Sequence, residues 1–153
     1  TGFVKMIELT MKVATLLVPV MEVISISLNI SNLPLIVRYV GIIIAILGDI
    51  VFVISVWTMK DSWRAGVSPT DKTELVTDGI YQISRNPAFL GFDLVYVGVF
   101  LIFFNWVLFL VSVFAMIMFH LQIVNVEEDF LLDSFGEDYI AYKKKVNRYF
   151  GRK

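Results

Sequence analysis

Two short runs in this 153-residue chain carry side chains suited to holding a small charged molecule: Arg85-Asn86-Pro87 and Glu127-Glu128. An arginine presents a planar fork that matches a carboxylate. A glutamate pair accepts from ammonium or hydroxyl donors. Brought together, the two runs could grip both ends of a zwitterion; the alternative is a structural ion pair. Asn86 can position a ligand through a neutral amide, but it cannot move a proton near neutral pH. A second set of polar residues, Glu22, Asp49, Asp93 and His120, lies inside apolar stretches. Ionisable groups there are costly and usually face a cavity or a partner, so Asp49, Asp93 and His120 are expected to line a substrate path, with Glu22 a further candidate. An Asp49–His120 contact is the simplest pairing, and a purely structural clamp is its alternative. The chain has no cysteine and one histidine, which leaves no cluster for zinc or iron, and a net charge of -1 gives no basic field for nucleic acid.

The elements that must position these groups are apolar blocks. Of the residues, 58% are hydrophobic, against roughly 45–50% in a soluble domain. They concentrate at about 13–30, 35–57, 87–104 and 106–126. A membrane helix needs about 20 mostly apolar residues, so the expected fold is all-α: a single domain over 1–153, a polytopic bundle of about four transmembrane helices. Trp57 and Trp106 fall at segment ends, where indole favours the headgroup zone. Gly41, Gly48, Gly91 and Gly98 are expected to let helices approach closely. With four crossings, every basic residue except Arg38 falls on one side, which the positive-inside rule assigns to the cytoplasm. The expected location is a prokaryotic plasma membrane. No signal peptide is expected, because Lys5, Glu8 and Lys12 interrupt the opening residues.

The third and fourth blocks are separated only at Asn105 and read as a tight hairpin, so their other ends lie about one helix diameter, roughly 10 Å, apart. That brings Arg85-Asn86-Pro87 to Glu127-Glu128. The connection 58–86 is long for a helix link, and Trp63, Val67, Leu75, Val76, Ile80 and Tyr81, with turns at Ser68-Pro69 and Asp78-Gly79, predict a folded loop. Trp63 and Arg64 are candidate interfacial anchors. In the tail 127–153, Phe130, Leu131, Phe135, Tyr139, Tyr142, Val146 and Tyr149 recur at helical spacing, and Gly136 divides two amphipathic helices.

Taken in order, Arg85-Asn86-Pro87-Ala88-Phe89-Leu90-Gly91, a helical hairpin, Glu127-Glu128, and Phe135-Gly136-Glu137-Asp138-Tyr139 with Tyr142 resemble the isoprenylcysteine carboxyl methyltransferase and phospholipid N-methyltransferase superfamily of membrane enzymes. The likeness covers roughly Trp57 to Tyr149. Two positions depart from its motif: Asn86 stands where a histidine is usual and Phe89 where a tyrosine is usual. The resemblance implies S-adenosylmethionine as cofactor and a lipid or lipidated small molecule as acceptor, in contact with the bilayer and without a metal. It implies that Arg85 and Asn86 are the catalytic residues, acting by positioning the ligand. The expected cofactor pocket comprises Leu75, Val76, Gly79, Ile80, Tyr81, Arg85, Asn86, Pro87, Phe89, Glu127 and Glu128, with Leu75, Val76, Ile80 and Tyr81 flanking the adenine. Membrane sterol reductases, which use NADPH, look similar in their C-terminal part and supply a second expectation. A non-catalytic membrane scaffold is the third.

Overall fold

The computed structural model describes residues 2–60 and 74–153; the expected anchors Trp63 and Arg64, with Val67 and the Ser68-Pro69 turn, lie outside the described residues. Among the described residues there are six α-helices: α1 (Gly2–Ser27), α2 (Leu35–Met59), α3 (Pro87–Ile102), α4 (Trp106–Gln122), α5 (Glu128–Phe135) and α6 (Glu137–Lys145). A 3-10 turn at Gly79–Gln82 precedes α3, and a π-helical turn at Ile123–Glu127 joins α4 to α5 without a break. The only β pairing among the described residues is one bridge, Val146 to Arg152.

The bundle is a membrane helix bundle, as composition required. α1, α2 and the continuous Trp106–Phe135 rod are each long and apolar enough to cross a bilayer, while α3 is a shorter apolar helix. The packing runs opposite to that of a soluble protein. The buried residues of α2 are Gly41, Gly48 and Ser55, seven residues apart, whereas Ile43 and Trp57 are exposed. Lipid is as apolar as leucine, so burial of large side chains does not drive association; small residues that let backbones meet do. A Cβ built on Gly48 would lie 2.7 Å from the Gly91 carbonyl oxygen, and one on Gly98 would lie 2.5 Å from the Ala45 nitrogen. The expected role of these glycines is thus met, and α3 lies flush against α2.

α1 packs mainly on α4, and α2 on α3. The α1 side of the first seam is Ile7, Met11, Ala14, Val18 and Ser25, a stripe of three- and four-residue steps. Helix α1 therefore starts at Gly2 and not near Val13. Lys5 and Lys12 are exposed and leave that stripe intact. The hairpin is also looser than a single residue, with Phe103, Phe104 and Asn105 between α3 and α4.

Asn105 closes the end of the bundle away from Arg85. Its side-chain oxygen accepts from the Leu108 backbone N–H at 2.9 Å, capping α4, and its amide donates to the buried Ser25 hydroxyl at 2.9 Å. Asn105→Ala removes both. The expected cost is about 1–2 kcal/mol, read as a lower unfolding midpoint in detergent with ligand affinity unchanged.

Candidate active site

A cavity of about 470 Å³ opens where α3 begins and α4 ends. Pro87 occupies the first turn of α3, where its missing N–H leaves no gap and its fixed φ favours the helix. This places Arg85, Asn86, Pro87, Ala88 and Phe89 on one wall. Glu127 and Leu131 line the opposite wall, Tyr81 and Met59 line the loop side, and Met11, Lys12, Thr15 and Leu16 bring α1 into the site. The deeper surface is aromatic, with Phe89 and Phe92 each 5.4 Å, centroid to centroid, from Phe119. The site is thus polar at its rim and apolar in its depth.

The two glutamates part company. Consecutive residues on a helix point about 100° apart, so they do not share the single crevice expected from sequence. Glu127 lines the cavity and accepts from Gln122 at 3.2 Å; that fully buried amide also reaches Glu8 of α1 at 3.4 Å. Glu128 points into the protein. Its Oε2 accepts from Arg85 Nη1 at 3.0 Å and from Arg148 Nε at 2.9 Å, while Oε1 accepts from Arg148 Nη2 at 3.2 Å. Burial raises the Glu128 carboxyl, but the Arg148 hydrogen bonds and charge, with that of Arg85, outweigh it and hold the group below the usual glutamate range. The π turn sets where each carboxylate emerges, and such turns recur at functional sites.

Arg85 is likewise engaged. Besides Glu128, it donates from Nη1 to the Tyr139 hydroxyl at 3.1 Å and from Nε to the Val146 carbonyl at 3.1 Å. Asn86 lines the cavity and donates from Nδ2 to the Arg148 carbonyl at 3.0 Å. A strap after α6 supplies these acceptors. The Arg85 N–H donates to the Asn147 carbonyl at 3.1 Å, and the Gly151 N–H to the Ile83 carbonyl at 2.6 Å. Tyr142 donates to the carbonyls of Tyr81 at 2.7 Å and Ser84 at 3.3 Å. Burial pushes the Tyr81 and Tyr142 phenols up, so both remain donors.

The other expected site residues are placed differently. Of the proposed adenine strip, Tyr81 reaches the cavity. Leu75, Val76 and Ile80 instead pack on the buried cluster Tyr81, Tyr139, Tyr142 and Val146, since a short apolar run beside an amphipathic tail is covered by it. Gly79 sits at φ +57°, a turn residue away from the cavity lining. His120 meets Tyr149 of the strap through a ring nitrogen and the phenol, which corrects the expected contact with Asp49. Asp49 belongs to α2, whose main packing partner is α3 rather than α4, and it lines a different cavity with Glu22. Tyr139 and Tyr142 belong to the tail motif, but their anchoring roles, that of Arg148 and the α1 residues of the site were not read from the sequence.

The family model described as phospholipid methyltransferase matches residues 36–138. The chain belongs to the phospholipid methyltransferase family. That match takes in α2 to α5 and the Arg85 and Glu127-Glu128 runs, so the family implied by the motif order stands. The matched core of this phospholipid methyltransferase family member leaves out α1 and the strap. The Saccharomyces cerevisiae protein-S-isoprenylcysteine O-methyltransferase is 32% identical over 108 residues, 69% of this chain and 45% of that protein. The Schizosaccharomyces pombe protein of the same name is 38% identical over 72 residues, 47% of this chain and 30% of the relative. A probable protein-S-isoprenylcysteine O-methyltransferase of Oryza sativa subsp. indica is 28% identical over 113 residues, 72% of this chain and 59% of the relative. The match spans between 30% and 59% of the length of these relatives.

Proposed function

We propose that this chain transfers a methyl group from S-adenosylmethionine to a lipid-like acceptor at one face of the membrane, the face we assign to the cytoplasm from its basic residues. The reading rests on the cavity that joins the start of α3 to the end of α4. Its donor set suits the cofactor. Lys12 and Asn86 can meet a carboxylate, Glu127 can accept from an ammonium or ribose hydroxyls, and Phe89, Phe92 and Phe119 offer apolar faces to a base or a hydrocarbon. Bound there, S-adenosylmethionine supplies an electrophilic methyl on a sulfonium, open to in-line displacement.

What remains for the protein is positioning and exclusion of water. Glu127 is held in place by Gln122, so its carboxylate presents a prepared acceptor. Arg85 acts from behind as a positioning residue, fixing the strap that carries the Asn86 contact. The aromatic depth keeps water from the reacting atoms. A carboxylate acceptor needs no base, in keeping with Asn86. The names of the relatives favour a lipidated acceptor of that kind.

The test is binding by purified protein in detergent. S-adenosylhomocysteine at a hundred times its Kd is expected to stabilise the fold by about 2.7 kcal/mol, while NADPH leaves it unchanged. Glu127→Gln is expected to weaken S-adenosylhomocysteine at least tenfold by calorimetry. Stabilisation by NADPH without S-adenosylhomocysteine would point to the reductase chemistry instead, and stabilisation by neither to a scaffold.

A further inference from the structure

A second cavity, of about 250 Å³, lies deeper in the bundle, between α1, α2 and α3. Thr15 and Phe92 line both cavities, so the two adjoin. The inner one is acidic and aromatic. Glu22 of α1 and Asp49 of α2 face it with Phe52, Phe92 and Tyr96, and among the described residues neither Lys nor Arg lines it. Tyr96 is 3% exposed, yet its hydroxyl has no hydrogen-bond partner among the described residues, and the same holds for Glu22 Oε2. Asp93, three residues before Tyr96 and so on the same side of α3, has a buried unpartnered Oδ1.

Buried polar atoms without partners are rare and point to a missing ion or ligand. Inside a bilayer the cost is greater, because no water is at hand. Carboxylates from two helices, a free phenol and ring faces are together the chemistry that recognises an ammonium group. Since α1 packs mainly on α4 and α2 on α3, the seam between α1 and α2 is lightly closed, and Asp49 on it is exposed. A ligand arriving from lipid can enter there.

We propose that this inner cavity binds the ammonium end of an amphiphile, with Glu22 and Asp49 as counter-charges, Tyr96 as a polar contact and Phe52 and Phe92 as the aromatic wall. The site is distinct from the cofactor pocket and stands whether or not the chain transfers methyl groups.

The experiment is calorimetric titration of the full chain in a non-ionic detergent, with dodecylammonium, dodecanoate and methylammonium as probes, since a primary ammonium carries the N–H donors that the unpartnered oxygens lack. Saturable binding of dodecylammonium is expected, at least tenfold tighter than either other probe. The double variant Glu22→Gln, Asp49→Asn is expected to lose at least tenfold in that affinity while its S-adenosylhomocysteine affinity stays as in the parent. Tyr96→Phe, which keeps the shape and removes the unpartnered hydroxyl, is expected to lose severalfold, and it serves alone if the double variant fails to fold. Equal affinity for the cationic and anionic amphiphiles, or undiminished cation binding in Tyr96→Phe, overturns the proposal. Tight binding of methylammonium would overturn the amphiphile. Cation binding by a protein that ignores S-adenosylhomocysteine would support this site while rejecting the methyl-transfer reading.

Discussion

Glu128→Ala is expected to cost on the order of 3–5 kcal/mol of stability and to lower S-adenosylhomocysteine affinity at least tenfold. The carboxylate is the shared acceptor of Arg85 and Arg148. Its side chain is 11% exposed and that of Arg85 is 6% exposed, so the substitution leaves a largely buried guanidinium without its counter-charge. Arg85 also holds Tyr139 and Val146, so losing its counter-charge loosens the strap that receives the Asn86 amide. Arg148→Ala removes the more exposed partner, at 36%, and the expected loss is about 1 kcal/mol. Unfolding midpoints in detergent separate the two, with calorimetry for the ligand. Equal, small losses for both would show that Glu128 is not the anchor of the strap.

The sign of the pH effect follows from the same contacts. The folded-state carboxyl of Glu128 is depressed, so its stabilisation is fully present above the unfolded glutamate value of about 4.3. It is lost as pH falls through the lower folded value. Parent protein should therefore lose part of its stability in acid, and Glu128→Gln should flatten that part of the profile.

Gly98→Leu is expected to abolish the folded bundle. A single Cβ at Gly98 already meets the Ala45 nitrogen at 2.5 Å and the Gly41 carbonyl oxygen at 2.6 Å, and these are backbone atoms that cannot rotate away. Separating α2 from α3 breaks the glycine seam along its length, since Gly48 and Gly91 meet by the same close approach. Even Gly98→Ala should cost at least about 2 kcal/mol, within the range for overpacking. Gly136→Ala is the control. Gly136 has φ +52° but nothing within 4 Å of an added Cβ, so it should cost about 1 kcal/mol. Yield of monodisperse protein and unfolding in mixed micelles report the difference. A well-folded Gly98→Leu would show that the helices do not meet through these glycines.

Much of the bundle was legible because a bilayer reads composition directly. Blocks of apolar residues had to be helices, since only a helix satisfies its own backbone in hydrocarbon. Glycines at seven-residue spacing marked the face where two of them touch, and Gly136 marked the break between α5 and α6. The start of α1 was hidden because Lys5 and Lys12 interrupt the apolar run without interrupting the stripe of Ile7, Met11, Ala14 and Val18. Leu75 and Val76 looked like a ligand wall because an apolar pair in a loop must be covered by something, and nothing local says that the cover is Tyr81 with Tyr139, Tyr142 and Val146.

From sequence alone came the membrane setting, the helical class, the family motif order and the meeting of Arg85-Asn86-Pro87 with the end of the fourth helix, because each depends on residue type and spacing along one strand of chain. Which of two adjacent glutamates faces the cavity, and which locks an arginine, was decided only by the tertiary structure. So were the return of residues 146–152 over Arg85, the pairing of His120 with Tyr149, and the gathering of Glu22, Asp49 and Tyr96 around one hollow. These depend on the π turn at Ile123–Glu127 and on which helix faces meet, and rotations of that kind leave no mark on the order of residues.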